Sequence, residues 1–280
     1  EAIRAYPLVL KRVKETVEVI MTAAPDAVIL IDSWGFMIRV SQRLKAAGFK
    51  GEIIKYVAPQ VWAMREGRAK VLAKSNDHVL SIHSFDAPYF EKYGLDVTHV
   101  GNPMFDTDFS TGDGEALRRD LGIREGQCVC GIFLGSRASE YAQLREPVNA
   151  AVTNLSARYP NMLFVSPVSD SLKASVKSEE VPGVRLVSEA RKFDVFAAAD
   201  SAIACSGTVT TQLASVGIPT VVIYKLKAVS WWFAEKLFKP DYISLINISA
   251  GKALMPELLQ DEAKGPAIAE VIAEFTDNPA

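Results

Sequence analysis

Short apolar runs alternate with stretches of helical spacing along the chain, and that rhythm narrows the fold further than any single motif. In the first half the strand candidates are DAVILID (26–32), EIIKYVAP, HVLSIH and VTHVGNP. Helical spacing marks Glu1–Met21, 33–48, Arg65–Ala73 and 86–93. In the second half the strand candidates are CVCGIFL, NMLFVSPV, VRLVS, SAIACS, TVVIYK and YISLIN. Helices are expected there near 138–158, 170–179, 189–199, 207–217, 228–239 and 251–260. Continuous apolar strands joined by amphipathic helices predict parallel sheets covered on both faces. The polar stretch DTDFSTGDGE (106–115) reads as a linker, so two doubly wound Rossmann-like α/β domains are expected, 1–111 and 112–280. In such folds ligands collect at the carboxyl ends of the strands.

Composition removes several classes. A chain of 280 residues that is 49% apolar and 23% charged is globular rather than disordered. A net charge of −2 gives no footing for nucleic acid. Cys128, Cys130 and Cys205 all sit in strand-like runs and read as buried thiols in a reducing compartment. His78, His83 and His99 have no metal-ligand spacing, so no metal site is expected. No apolar run approaches the roughly 20 residues of a membrane span. The opening EAIRAYPLVL has no secretory signal pattern and begins inside helix-like sequence, as a processed piece or fragment would.

Two strand ends attract chemistry. FLGSRASE breaks a buried strand at Gly135-Ser136-Arg137 and enters a helix. Glycine permits close backbone approach, the helix start offers unpaired amides, and arginine is a planar permanent cation. The alternative is a plain serine N-cap beside an exposed arginine. A second break, Ser206-Gly207-Thr208, repeats the pattern, and together the two would cradle an anion such as a diphosphate. No P-loop pattern is present, and GDGEAL follows no strand. Asp106-Thr107-Asp108 reads as a solvated loop. Asp32 ends the first strand, where it is either a general base or a helix cap. In YVAPQVWAMREGRAK, Trp62, Arg65 and Arg68 either contact a sugar or phosphate, or pack and solvate a helix.

These strings resemble the lipid-A-disaccharide synthase family, glycosyltransferases of the two-domain GT-B type. The likeness rests on IDSWGF, YVAPQVWAMREGR, DHVLSIHSFD, VGNPM, GSRASE, SGTVTTQLASVGIPTVVIYK and YISLINISAGKALMPELLQDE. It implies transfer of diacylglucosamine from UDP to diacylglucosamine 1-phosphate, with inversion and with neither metal nor other cofactor. Asp32 would be the base. Gly135, Ser136, Arg137 and Glu140 would bind UDP together with Ser206, Gly207, Thr208, Gln212 and Asn247. The first domain would face acceptor and membrane through Ile3, Tyr6, Leu8, Val9 and Leu10, with Trp62 and Arg65 on the acceptor side. Trp231, Trp232 and Phe233 form a second candidate patch. A peripheral place on the cytoplasmic side of a Gram-negative inner membrane is implied, and a homodimer is compatible. The chain departs from the family pattern at Leu134, Asn102 and Gln212, and lacks the family's opening strand, glycine-rich acidic loop and last helices. Another UDP-sugar enzyme of this fold, such as a UDP-N-acetylglucosamine epimerase or a soluble-acceptor transferase, and a non-catalytic nucleotide- or lipid-binding homologue stay open.

Overall fold

The computed structural model describes residues 2–135, 137–169, 172, 183–227, 231–232 and 236–278, with side chains from residue 6 onward. The chain divides into two compact units, Glu1–Thr107 with Lys236–Lys239, and Asp108–Glu235 with Pro240–Ala280.

In the first unit a long helix, α1 (Ala2–Ala23), precedes β1 (Ala27–Ile31). There follow α2 (Trp34–Ala46), β2 (Glu52–Tyr56), α3 (Gly67–Ala73), β3 (His78–Ser81), α4 (Ala87–Glu91) and β4 (Asp96–His99). The strands form one parallel sheet in the order β1-β2-β3-β4, with Ile31 beside Tyr56 and Ile29 beside Ile54. One face is packed: Val13, Leu30, Val40, Leu44 and Ile53 make a buried cluster in which α1 and α2 cover β1 and β2. The other face departs from expectation. Ile29 and Ile31 are 53% and 55% exposed, and they line an open apolar hollow with Tyr56, Leu80 and Val100.

The second unit contains α5 (Gly114–Asp120), β5 (Val129–Phe133), α6 (Ala138–Arg158), β6 (Leu163–Val168) and β7 (Val184–Ser188). It continues through α7 (Lys192–Ala198), β8 (Ser201–Cys205), α8 (Thr208–Ser215), β9 (Thr220–Tyr224), α9 (Leu245–Ala250), β10 (Glu257–Leu259) and α10 (Gly265–Asp277). Its parallel sheet runs β10-β9-β8-β5-β6-β7. Every residue of β5 and β8 is buried, as strands covered on both faces require. Leu144, Val148, Ala151 and Leu155 of α6 meet Ile268, Ala269 and Ile272 of α10 in the core. The helices approach so closely that a Cβ on Gly265 would lie 2.4 Å from that of Ala150.

Two assignments from sequence are corrected. YISLIN is not a strand: Ser244 accepts a hydrogen bond from the Asn247 amide and caps α9. The expected helix over 251–260 is instead a turn followed by β10, a short parallel edge strand on β9. The expected linker, 106–115, begins on the last residue of a 3₁₀ turn, Pro103–Asp106, and already holds the start of α5, whose cap is Asp113. Most of the expected 170–179 helix, and part of 228–239, lies outside the described residues.

Candidate active site

The chain leaves β5 toward β6 on one side and later returns to β8 on the other, so the strand order reverses between β5 and β8. Open α/β sheets leave a crevice at such a switch point, beyond the carboxyl ends of the strands. A hollow of about 450 Å³ lies there. Gly135, Arg137 and Glu140 line one wall, and Ser206, Gly207, Thr208 and Gln212 line the other. The two strand ends singled out by sequence therefore meet around one cavity. Ser136 lies outside the described residues.

Gly135 has φ 88°, so the backbone calls for glycine, and a Cβ there would also push the Glu140 carboxylate from its place. Arg137 donates to Glu140 Oε1 at 2.6 Å, and this bond holds the guanidinium more firmly protonated. The arginine side chain is 75% exposed, so the pair contributes little to stability and can yield to a stronger anion. Across the hollow, the first amides of α8 have no acceptor within their own helix. Burial pushes the Cys205 thiol up to about 12, which leaves no thiolate nucleophile at this strand end. Lys192 and Glu189 also line the cavity, 3.5 Å apart. Sequence reasoning missed Lys192, whose only signal was a lysine at a helix start after an apolar strand.

Asn247 does not reach this hollow. Its side chain is fully buried, and both ends of its amide are taken. Nδ2 donates to Met255 O and Glu257 Oε1, each at 2.8 Å, while Oδ1 accepts from the amides of Leu254 and Met255. Glu257 also accepts from the Ile243 and Ser244 amides. Asn247 is thus a bracket for the segment whose Ile243 carbonyl accepts the Ser206 hydroxyl at 3.4 Å. Asn247→Ala is expected to cost about 3 kcal/mol of unfolding free energy, because several buried polar groups lose their partner at once. Urea denaturation measures this, and a cost below about 1 kcal/mol would contradict the bracket.

In the first unit, Asp32 and Ser33 join β1 to α2 with φ 44° and 39°. Consecutive left-handed residues other than glycine are unusual and are found where surrounding contacts impose them. The contacts are evident. The Asp32 amide donates to Tyr56 O at 3.0 Å, and Lys55 Nζ bonds the carbonyls of Leu30, Asp32 and Tyr56. Ser33 makes no side-chain cap to α2. Among the described residues, none donates to the Asp32 carboxylate, which is exposed and lines a hollow of about 440 Å³ with Trp34, Gln60, His83 and Arg68. Its lone pairs are available to take a proton.

Lys55 was not expected. It shares the covered face of β2 with Ile53 and is buried. Burial lowers its pKa to about 8, against the raising effect of the Asp32 charge. An exposed lysine titrates near 10.5, so between about pH 8 and 10.5 the folded chain binds fewer protons here than the unfolded chain. The cost of the buried charge is therefore full below that window and falls away as the pH rises through it. Wild type should gain stability relative to Lys55→Met over this range. Parallel pH profiles of the two denaturation midpoints would contradict it.

Neither of the two expected acceptor-side residues lines the Asp32 hollow. Trp62 is 6% exposed and packs edge-on against His83 and Phe85, so its packing alternative holds. Arg65 is exposed with φ 58° and does not line the Asp32 hollow, whereas Arg68 does. Beside them, Asp86 is pushed up to about 6 by burial, and His83 is lowered by the same cause. Asn102 accepts from the Met104 amide and caps the Pro103–Asp106 turn. In α1, Tyr6 and Leu8 are 48% and 56% exposed, but Val9 packs on the inner cluster and Leu10 is half-buried, so neither lies freely on the surface. The Ile3 and Phe233 side chains lie outside those described; Trp232 is exposed. Among the described residues no cluster of His, Cys, Asp or Glu could hold a metal, and no helix is long and apolar enough to cross a membrane.

Two parallel-sheet units, one with a crevice at its switch point, give the fold of the GT-B-type enzymes. A UDP-GlcNAc 2-epimerase from Neisseria meningitidis, solved bound to UDP-GlcNAc, aligns with a TM-score of 0.63 at 11% identity, covering 97% of this chain and 73% of that one. A UDP-forming α,α-trehalose-phosphate synthase from Burkholderia vietnamiensis aligns at 0.58 and 12% identity, over 98% and 68% of the two chains. At such identities the likeness concerns the fold alone. The sequence is more specific: the lipid-A-disaccharide synthetase family model matches residues 1–278. The lipid-A-disaccharide synthase of Rhodospirillum centenum is 38% identical over all of this chain and 71% of its own length. That of Geobacter sulfurreducens is 35% identical over 94% and 69%. The chain belongs to this family of glycosyltransferases.

Proposed function

We propose that the protein joins 2,3-diacylglucosamine, carried by UDP, to 2,3-diacylglucosamine 1-phosphate, forming lipid A disaccharide 1-phosphate and UDP. The acceptor's 6-hydroxyl oxygen forms a bond to the donor's anomeric carbon as the bond from that carbon to the UDP oxygen breaks, with inversion. Asp32 accepts the hydroxyl proton, and the electron pair leaves with UDP. Charge growing on the departing diphosphate is met by Arg137, the Gly135 turn and the Ser206–Thr208 helix start. The observation that carries this reading is the single crevice shared by the Gly135–Arg137 and Ser206–Thr208 strand ends in a member of this family. UDP release in the presence of both lipid substrates tests it, and a folded protein that releases none contradicts it.

Membrane contact belongs to the same reading. Tyr6 and Leu8 present exposed apolar surface on α1, near Lys11, Arg12 and Lys14, a composition that suits an anionic inner-membrane face on the cytoplasmic side. Replacing Tyr6 and Leu8 by Asp should cut co-flotation with phosphatidylglycerol vesicles several-fold, and unchanged flotation would exclude this helix as the contact. A homodimer fits the family reading as well; light scattering that returns the mass of one chain would remove it.

A further inference from the structure

We infer that the Asp32 hollow contains a phosphate-monoester subsite whose cation is Arg68, and that this subsite holds the phosphate of the acceptor. The inference rests on the transferase reading and adds which group of the acceptor is recognised, and by what.

Arg68 lies on α3 and is half-buried, with its guanidinium carbon 5.2 Å from the centre of the Trp34 ring. Stacking on an aromatic face fixes the plane of a guanidinium without using its N–H groups, so the fork remains free to bind an anion. Among the described residues no carboxylate pairs with it. Glu66, the acid nearest in sequence, is taken by Lys92 and by Lys239, whose Nζ stands 2.7 Å away. The neighbouring charge that acts on Arg68 is that of Arg65, a like charge, and it adds to burial in lowering the Arg68 pKa. A half-buried cation over an aromatic ring, repelled by a second cation and with no salt bridge among the described residues, suits an anion from outside.

Its position fits the acceptor. Trp34 follows Asp32 by two residues, and Asp32, Trp34 and Arg68 line the same hollow. In the acceptor, the 1-phosphate and the methylene that bears the attacking 6-hydroxyl are carried by the same sugar, on the two carbons that flank its ring oxygen. A hollow that offers both a proton acceptor and a guanidinium suits a molecule that carries both a reacting hydroxyl and a phosphate. A neutral acceptor would leave Arg68 unpaired.

The test compares acceptors with and without the phosphate in wild type, Arg68→Ala, Arg68→Lys and Arg65→Ala. Initial rates are read as kcat/KM for each acceptor, and binding of glucosamine 1-phosphate against glucosamine is measured by calorimetry. Wild type should prefer the phosphorylated compounds in both readouts. Arg68→Ala should lose about 10- to 100-fold of that preference, the worth of a charge-assisted hydrogen bond or pair of them. Arg68→Lys should keep part of it, Arg65→Ala should change it little, and the KM for the UDP donor should stay constant. If Arg68→Ala weakens both acceptors equally, or leaves the preference intact, the inference is wrong while the transferase reading stands. If no acceptor turns over but the phosphate preference in binding still depends on Arg68, the subsite stands and the reaction assigned to it does not.

Discussion

An Asp32→Asn variant is expected to lose about two to four orders of magnitude in kcat, the usual contribution of a positioned general base, while binding UDP as wild type does. The variant keeps size and polarity, so the left-handed Asp32-Ser33 turn and its backbone contacts to Lys55 and Tyr56 persist. Only the ability to take a proton is removed. An alternative role as helix cap predicts something different. A cap would accept from an α2 amide, and substitution would lower stability with activity following in proportion. The Asp32 carboxylate makes no such bond among the described residues, so the loss should appear in kcat with the denaturation midpoint held. Turnover within about tenfold of wild type would return Asp32 to a structural role.

Arg137→Ala is expected to lower kcat by about 10²- to 10³-fold, the range seen when one donor to a developing oxyanion is removed. The fold should tolerate the change. The side chain is 75% exposed, and its partner Glu140, 21% exposed, still lines the open crevice. The predicted loss is therefore in the chemical step and in UDP affinity, with stability nearly unchanged. Glu140→Gln is a useful companion. It releases the guanidinium from its intramolecular anion, and UDP should then bind at least as tightly as to wild type. If Glu140→Gln instead weakens UDP as strongly as Arg137→Ala does, the ion pair itself is the binding element.

Much of this was legible in the sequence where local signals agree with the fold. The apolar runs of β5 and β8 announced strands buried on both faces, and the small residues that end them announced turns into helices. Their adjacency was not legible from local signals, because strand order is set by how the helices pack on the sheet. Reading failed where a side-chain hydrogen bond overruled propensity. YISLIN has β-branched and aromatic residues in strand-like order, yet the Ser244 cap and the Asn247–Glu257 bracket turn it into α9 and a loop. Asn247 was a UDP candidate only through the family resemblance; the structure uses its amide, which can satisfy donors and acceptors together, as a bracket. Lys55 hid in plain alternation, two residues from Ile53 on the covered face, where an isolated lysine ordinarily argues for solvent. Arg65 and Arg68 could not be separated by spacing, since the residues before α3 do not follow a helical wheel. The left-handed backbone at Arg65, and the placement of Arg68 over Trp34 in the Asp32 hollow, distinguish them.

The diphosphate clamp proposed for the β5–β8 crevice is tested most directly by the affinities of UDP and of uridine, measured by calorimetry on wild type and Arg137→Ala. Wild type should bind UDP far more tightly than uridine, and most of that gap should close in the variant while uridine binding holds. A gap of the same size in both proteins would contradict the clamp.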